Sequence, residues 1–478
     1  MSMEGPSRSP SPPGRGDTSV PSAHLVGVCG AGMKALAELL DGLGWRLSGS
    51  DLQPAGTSIE SLGLHGFQFF RGHAADNVPA DAACVVYSPA IRPDNPERLE
   101  AARRGLPEWS YSAMIGRLME TRTGLCIAGT HGKSTTTAMV GWILSVAGRD
   151  PAVLVGAELC DSGHSGRAGA SGLLVVESCE FNRSFLDFHP RHAAILNVEP
   201  DHFDCYADLP SLVQAFHEFA LRVPVHGVML VNVDSPAAME AVRDLPARVV
   251  TFGTKSQSQS QSNWRAEQLI DQPDGIRFEV VCRARPWGSV RLRLHGEHNV
   301  QNALAAAALC AEIGVDPHDI VAALGSFGGI KRRFEVVGEW NGITLVDDYA
   351  HHPTAVRATL QTARQVYGSR RIWCAFQPHQ VSRTVALMDD FAASFDAADE
   401  VLILPAFAAR ERVTDEPCQV SRELARRIAA RGRASRFVES LDQITSTVDD
   451  AARPGDVLIA MGAGDIDRIH HEFIRRVC

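Results

Sequence analysis

The sequence predicts an α/β protein in three consecutive segments, and three observations carry that prediction. Short runs of aliphatic and β-branched residues recur along the chain, each followed by a glycine turn or polar cluster and then a longer helical stretch. Two of these runs lead straight into glycine-rich loops that open a helix. The chain has 478 residues, more than a single hydrophobic core organises. Strands alternating with helices make largely parallel sheets, whose ligands gather at the carboxyl ends of the strands, so the residues just after each run matter most.

Taken in order, residues 1–22 are rich in Pro, Ser and Gly, lack the apolar segment of a signal peptide and are expected to form a disordered tail. The expected strands are His24–Val28, Ala83–Tyr87, Leu125–Ala128, Leu173–Glu177, Ala193–Asn197, Val228–Val233, Ile343–Val346, Ile372–Phe376, Val401–Leu404 and Val457–Ala460. One break falls near residue 120, where YSAMIGRLMETRTG gives way to a new strand. The other falls near residue 331, in the glycine-rich FGGIKRRFE. The expected domains are therefore 23–120, 121–331 and 332–478. The low-complexity stretch Lys255–Ser262 reads as a surface loop insertion.

A formal net charge of -10 with no long basic block weighs against general nucleic-acid binding, which needs a basic footprint. The 11 cysteines are scattered without a Cys-x-x-Cys pair, and Cys126 and Cys374 sit inside apolar runs. That usage fits a reducing, cytoplasmic compartment. No apolar stretch is long enough to cross a bilayer, so no membrane association is expected.

HLVGVCGAGMKALAELL reads as strand, tight turn and helix, with Gly30, Gly32 and Ala35 matching a dinucleotide fingerprint. Asp51, in LSGSD, lies where an acid commonly binds a ribose hydroxyl. NAD, FAD and UDP each carry a diphosphate and a ribose, and the motif does not choose among them. A tight βα turn that binds nothing has the same appearance.

LCIAGTHGKSTTTAMVGWILSVAG is a second strand, loop and helix, and it is more specific. Gly129, Gly132, Lys133 and Ser134 supply an anion nest, a cation for the β- and γ-phosphates and a hydroxyl for Mg²⁺. The strict spacing fails only because Ile127 stands where the first glycine belongs. ATP is the better-supported nucleotide, and two nucleotide loops argue against an NAD-dependent oxidoreductase. Glu177 and Glu180 follow one apolar run, and Asp201, His202 and Asp204 follow the next. Two adjacent parallel strands would bring both clusters to the phosphate loop, where they suit Mg²⁺. Asn299 and Asn302, three apart at the head of an alanine-rich helix, share a face and act either as capping residues or as polar groups for a ligand.

GTHGKSTTT, the pair VVESCEFNRSFL and ILNVEPDHFDCY, GEHNVQNALAA and GSFGGIKRRFE, in that order, resemble the Mur ligase family. GVCGAGMKALAELL with LSGSD, YSPAIRPDNPE, LVDDYAHHPTAV, FQPHQVSRT and MGAGDI narrow the resemblance to the branch that joins L-alanine to UDP-N-acetylmuramate. It runs from about His24 to the C-terminus. It implies a Rossmann-like UDP-binding domain, a central P-loop ATPase domain and a Rossmann-like C-terminal domain. ATP and Mg²⁺ would be used to phosphorylate the substrate carboxylate, and the amine would attack the acyl phosphate through a tetrahedral intermediate. The products would be ADP, phosphate and a peptidoglycan precursor, made by a monomer or weak homodimer.

Residue by residue, the resemblance assigns Gly129, Thr130, His131, Gly132, Lys133, Ser134 and Thr135 to ATP, with Asn299 and Asn302 at the nucleoside. Ser134 and Glu177 would hold one Mg²⁺, with His202 near a second. Arg333, or Arg332, would reach phosphate from the hinge, and Asp348 would meet ATP from the C-terminal domain. His351, His379 and Arg383 would seat the amino acid. Gly30, Ala31, Gly32, Met33, Ser50, Asp51 and Ser88 would hold UDP. The chain departs from the family pattern at Gln380 and Val381, where an arginine and an aromatic residue are common, so glycine or L-serine stands as an alternative amino acid. ESCEFNRSF also replaces a commoner acidic form. Three further alternatives are a related UDP-muramate-peptide ligase, a separate metal site at Asp347, Asp348, His351 and His352, and a non-catalytic UDP-sugar sensor.

Overall fold

The computed structural model describes residues 20–52, 63–255, 262–409, 411 and 416–475. Most of the expected tail and residues 256–261 of the expected insertion lie outside the described residues. The chain divides into two compact units at the head of the helix Tyr111–Met119.

The first unit holds five parallel strands, β1 Ser22–Val26, β2 Arg46–Asp51, β3 Gln68–Arg71, β4 Cys84–Tyr87 and β5 Glu108–Ser110, in the order β3-β2-β1-β4-β5. The expected strand His24–Val28 begins and ends two residues early. Gly27 takes φ +79°, and the N–H groups of Gly27 and Val28 both donate to the Ser50 carbonyl, so the chain turns there. A side chain at Gly27 would also press on Ser88, whose Cβ would lie 3.0 Å away. Strand order reverses between β1 and β4, which leaves a crevice at their carboxyl ends.

The second unit carries two sheets. The larger has ten strands: β6 Thr123–Ala128, β7 Ala152–Leu154, β8 Gly166–Arg167, β9 Leu173–Ser178, β10 Pro190–Ile195, β11 Val228–Asn232, β12 Arg248–Gly253, β13 Trp264–Gln272, β14 Gly275–Cys282 and β15 Arg285–Leu292. Their order is β15-β14-β13-β12-β11-β10-β6-β9-β7-β8. β6, β7 and β9 to β13 run parallel, whereas β13, β14 and β15 form antiparallel hairpins. The sheet is largely parallel, as expected, and the antiparallel hairpins are an addition at one edge. Ile276, Phe278 and Val280 are buried while Arg277 is exposed, the alternation of a sheet with one covered face. The helices Lys133–Val146 and Glu297–Glu312 pack on this sheet through Ala138, Met139, Ile143, Ala303, Leu304 and Ala307.

The smaller sheet comprises β16 Glu335–Trp340, β17 Ile343–Asp348, β18 Ile372–Phe376, β19 Glu400–Ile403, β20 Ala434–Phe437 and β21 Val457–Met461, in the order β16-β17-β21-β18-β19-β20. Alternate residues of its central strands enter two different cores. Cys374, Phe376, Val401 and Ile459 face one, and Trp373, Ala375, Leu402 and Leu458 face the other. A sheet covered on both faces reads in sequence as an unbroken apolar run.

Candidate functional site

The larger sheet gathers three loops at one edge. Glu177 and Asp201 were expected on adjacent strands; instead β9 and β10 flank β6, so the acids reach the phosphate loop from both sides. β6 runs into Gly129–Gly132, and the next helix starts at Lys133 with Gly132 at φ +80° and no side chain capping it. An uncapped N-terminus leaves N–H groups for an anion.

The residues after β10 hold the loop in shape. The Asn197 side chain accepts from the His131 N–H at 2.7 Å and donates to the His131 carbonyl at 3.1 Å. Thr130 Oγ1 accepts from the Glu199 N–H at 2.9 Å and donates to the Glu199 carbonyl at 3.3 Å. From the other side, Asn302 lies so close to Gly132 that a β-carbon there would overlap the Asn302 amide oxygen. Asn299 and Asn302 are both buried and bonded to each other at 3.3 Å.

Lys133 Nζ donates to the Gly129 carbonyl at 2.5 Å and to both Glu180 oxygens at 2.8 and 3.1 Å. Burial works against both charges, yet each stabilises the other. Lys133 is pushed above its ordinary value, and the Glu180 carboxyl is held down to about 2. Ser134 Oγ donates to Glu177 Oε1 at 3.0 Å, and the Gly156 N–H donates to Oε2 at 2.7 Å. A hydroxyl beside a carboxylate is a pair of hard oxygen donors and fits Mg²⁺. His202 stands at φ +53° with Nε2 3.5 Å from Glu180, and its buried Nδ1 has no hydrogen-bond partner among the described residues. Cys179, Glu180 and His202 offer ligand atoms within 4.8 Å of one another.

Two adjacent arginines precede β16. Arg332 is engaged by Asp347 at 3.3 Å and by the carbonyls of Gly462 and Gly464. Arg333 is the one whose charge reaches His298, which burial first and Arg333 second hold down to about 4. The Asp348 carboxylate accepts from the N–H groups of Phe334 at 2.8 Å and Ala350 at 2.7 Å, fixing the segment before β16 to the end of β17. His351 Nδ1 meets the Tyr349 carbonyl at 2.9 Å, and its ring lies 5.7 Å from that of His379. Arg383 joins this group, with Nη1 3.0 Å from His379 Nδ1 and Nε donating to Asp201 at 2.6 Å. Burial holds His351 well below its ordinary value. Gln380, at φ +71°, is buried and donates its N–H to the Phe407 carbonyl. Asp347, Asp348, His351 and His352 do not together form a group of described residues whose ligand atoms lie within 4.8 Å of one another, so the geometry gives no support to a common metal site there.

In the first unit, the helix Ala31–Gly42 also starts without a side-chain cap, at Gly30, Ala31, Gly32 and Met33. Asp51 accepts from the Cys29 N–H at 2.8 Å and so braces the loop, and Ser88 follows β4 across the crevice. Ser50 lies at the end of β2, next to Asp51. Its hydroxyl is fully buried and donates to Glu97 at 2.7 Å, so it supports the loop from beneath. Sequence reasoning also missed Gly27, Asn197 and Glu199. Gly27 was read as part of the strand His24–Val28, and Asn197 as the last residue of the strand Ala193–Asn197.

Family models match three consecutive stretches: the Mur ligase family catalytic domain over residues 22–123, the Mur ligase middle domain over 127–310, and the Mur ligase glutamate ligase domain over 332–464. The chain is 38% identical over 445 residues to the UDP-N-acetylmuramate--L-alanine ligase of Alkaliphilus metalliredigens, covering 93% of this chain and 95% of the relative. It is 39% identical to the enzyme of the same name from Salinibacter ruber, with 94% of each covered. Among solved structures, the UDP-N-acetylmuramate-alanine ligase of Thermotoga maritima superposes with a TM-score of 0.79 at 27% identity, covering 95% of this chain and 99% of that one.

Proposed function

Because the chain belongs to the Mur ligase family, we propose that it joins L-alanine to the carboxylate of UDP-N-acetylmuramate with hydrolysis of ATP to ADP and phosphate. The names of its relatives supply the substrates. The observation that carries the chemistry is the pairing of Lys133 with Glu180 and of Ser134 with Glu177 at one open helix N-terminus.

A carboxylate is a poor electrophile, and phosphorylation by ATP gives it a leaving group. The approach of two anions demands neutralisation, which Lys133, Arg333 and the amides of residues 129–135 provide. To reach the β- and γ-phosphates, Lys133 exchanges its Glu180 contact for phosphate oxygens. Ser134 and Glu177 would hold Mg²⁺, with His202 near a second ion, and the metal would supply charge neutralisation at the phosphates. The UDP diphosphate lies at the N–H groups of Gly30–Met33, and Asp51 meets the ribose.

The amine must arrive unprotonated. A carbonyl only accepts, so His351 carries its proton on Nδ1, toward Tyr349, and presents Nε2 as an acceptor for the incoming ammonium. Arg383 and His379 receive the α-carboxylate. The relatives are named for L-alanine, which supports it over glycine or L-serine. The ten described cysteines are free, in keeping with a cytoplasmic enzyme, and we propose a monomer or weak homodimer. No helix among the described residues is long and apolar enough to cross a membrane. The test is ADP release that requires UDP-N-acetylmuramate and L-alanine together.

A further inference from the structure

Three side chains converge from distant parts of the second unit, one from a residue assigned to the nucleotide (His131) and two from residues assigned no role (Glu199 and His352). His131 comes from the phosphate loop, Glu199 from the loop after β10, and His352 from the head of the helix Pro353–Tyr367. Glu199 Oε2 lies 3.2 Å from His131 Nε2 and 3.7 Å from His352 Nδ1. One ligand atom of each lies within 4.8 Å of the others, and the two imidazole centroids are 4.6 Å apart.

The hydrogen bonds fix which atoms are available. His352 Nε2 faces the Pro200 carbonyl at 3.2 Å, so that nitrogen carries the proton and Nδ1 presents a lone pair. Burial holds His352 down to about 4, so the ring is neutral near pH 7. Burial alone would raise the Glu199 carboxyl, but bonds from His131 and Thr354 keep it ionised, at about 2. A lone pair and a carboxylate oxygen therefore face each other with no proton between them. Only a long bond of 3.3 Å from the Thr354 N–H reaches Nδ1. Thr354 Oγ1 donates to Glu199 Oε2 at 2.6 Å and orients it, as an outer partner orients a metal ligand.

We propose that His131 Nε2, a Glu199 oxygen and His352 Nδ1 form a divalent transition-metal site of the zinc class, separate from the magnesium ligands, that ties the phosphate loop to the C-terminal domain. Two imidazoles and one carboxylate are the donor set of three-ligand zinc sites with an open position, whereas Mg²⁺ prefers oxygen alone. Bonds of about 2.1 Å in a tetrahedral arrangement set ligand atoms roughly 3.4 Å apart, close to the 3.2 and 3.7 Å seen here. Binding replaces the Thr354 N–H contact on Nδ1, and the proton that His131 Nε2 donates to Glu199 moves to His131 Nδ1, which frees the Nε2 lone pair for the metal. It needs the two parts of the second unit held together, so occupation and closure stabilise each other by mass action. The proposal does not depend on the ligase reaction.

The test is titration of the nucleotide-free full chain with Co²⁺ alone, followed by visible absorption, with Zn²⁺ as competitor. The expected result is one stoichiometric site with d–d bands but no thiolate-to-cobalt charge transfer, displaced by Zn²⁺. His352→Asn and His131→Gln should each weaken it at least about tenfold, with circular dichroism confirming that each variant is folded. Absence of stoichiometric binding in the unsubstituted chain overturns the proposal. So does a thiolate band, which places the metal at Cys179, and so does binding unchanged in either folded variant. The spectrum of the unsubstituted chain decides even if neither variant folds.

Discussion

Arg383 Nε donates to Asp201 Oδ1 at 2.6 Å across 182 residues of sequence, with the two side chains only 2% and 5% exposed. The pair ties the helix Val381–Ala386 to the loop after β10, which also carries the clamp on the phosphate loop. Breaking a buried ion pair from one side costs about 3–5 kcal/mol, because it strands the other charge. Arg383→Ala and Asp201→Ala should each lower stability by that order. The double variant should cost less than the sum, giving a coupling of more than 1 kcal/mol in urea unfolding.

Lys133→Ala should reduce ligation at least about 100-fold while UDP-N-acetylmuramate still binds, since the variant removes charge stabilisation at the transferring phosphoryl group. The same change strands Glu180, whose carboxyl is held near 2 against burial by Lys133 and His202. Turnover assays and calorimetric titration with the UDP-sugar separate the two effects. Normal turnover would remove the ATP assignment.

Gly132→Ala forces a β-carbon onto the Asn302 oxygen at φ +80°. ADP affinity should fall at least about tenfold, the cost of roughly 1–2 kcal/mol for an L-residue at positive φ plus displacement of Asn302. Gly148→Ala is the control. It sits at φ +68° with open space around it, so nucleotide titration should register no loss of affinity there.

The phosphate loop was legible because its chemistry is local: glycines, a lysine and a serine lie within a few residues, between a strand and a helix. Glu180 was visible as an acid, but its bond to Lys133 depends on β9 lying directly beside β6, which spacing does not reveal. The same holds for Asn197, which clamps His131 from β10, on the other side of β6. Ser50 was assigned to UDP by the family resemblance alone. Alternation along β2 turns the two side chains to opposite faces, Asp51 to the loop and Ser50 to Glu97. The β13–β15 hairpins escaped notice although Pro273-Asp274-Gly275 marks the turn between two alternating runs.

Stability should fall as pH drops from about 6.5 toward 4. Burial, with nearby arginines, holds His192 and His298 down to about 4. Between those values the unfolded chain binds protons that the folded chain does not, so the contribution is full above 6.5 and is lost as pH falls. At pH 5 His298 accounts for up to about 2 kcal/mol, and the half-exposed His192, screened by solvent, for less. Urea midpoints at pH 7 and pH 5 check this, and His192→Asn should flatten part of the difference.

ADP release by the purified chain with Mg-ATP, UDP-N-acetylmuramate and single amino acids tests the central claim most directly. The account predicts release only when the UDP-sugar and L-alanine are both present, and its loss in Lys133→Ala. Release with glycine or L-serine in preference to L-alanine would contradict the substrate assignment, and no release with any combination would contradict the reaction itself.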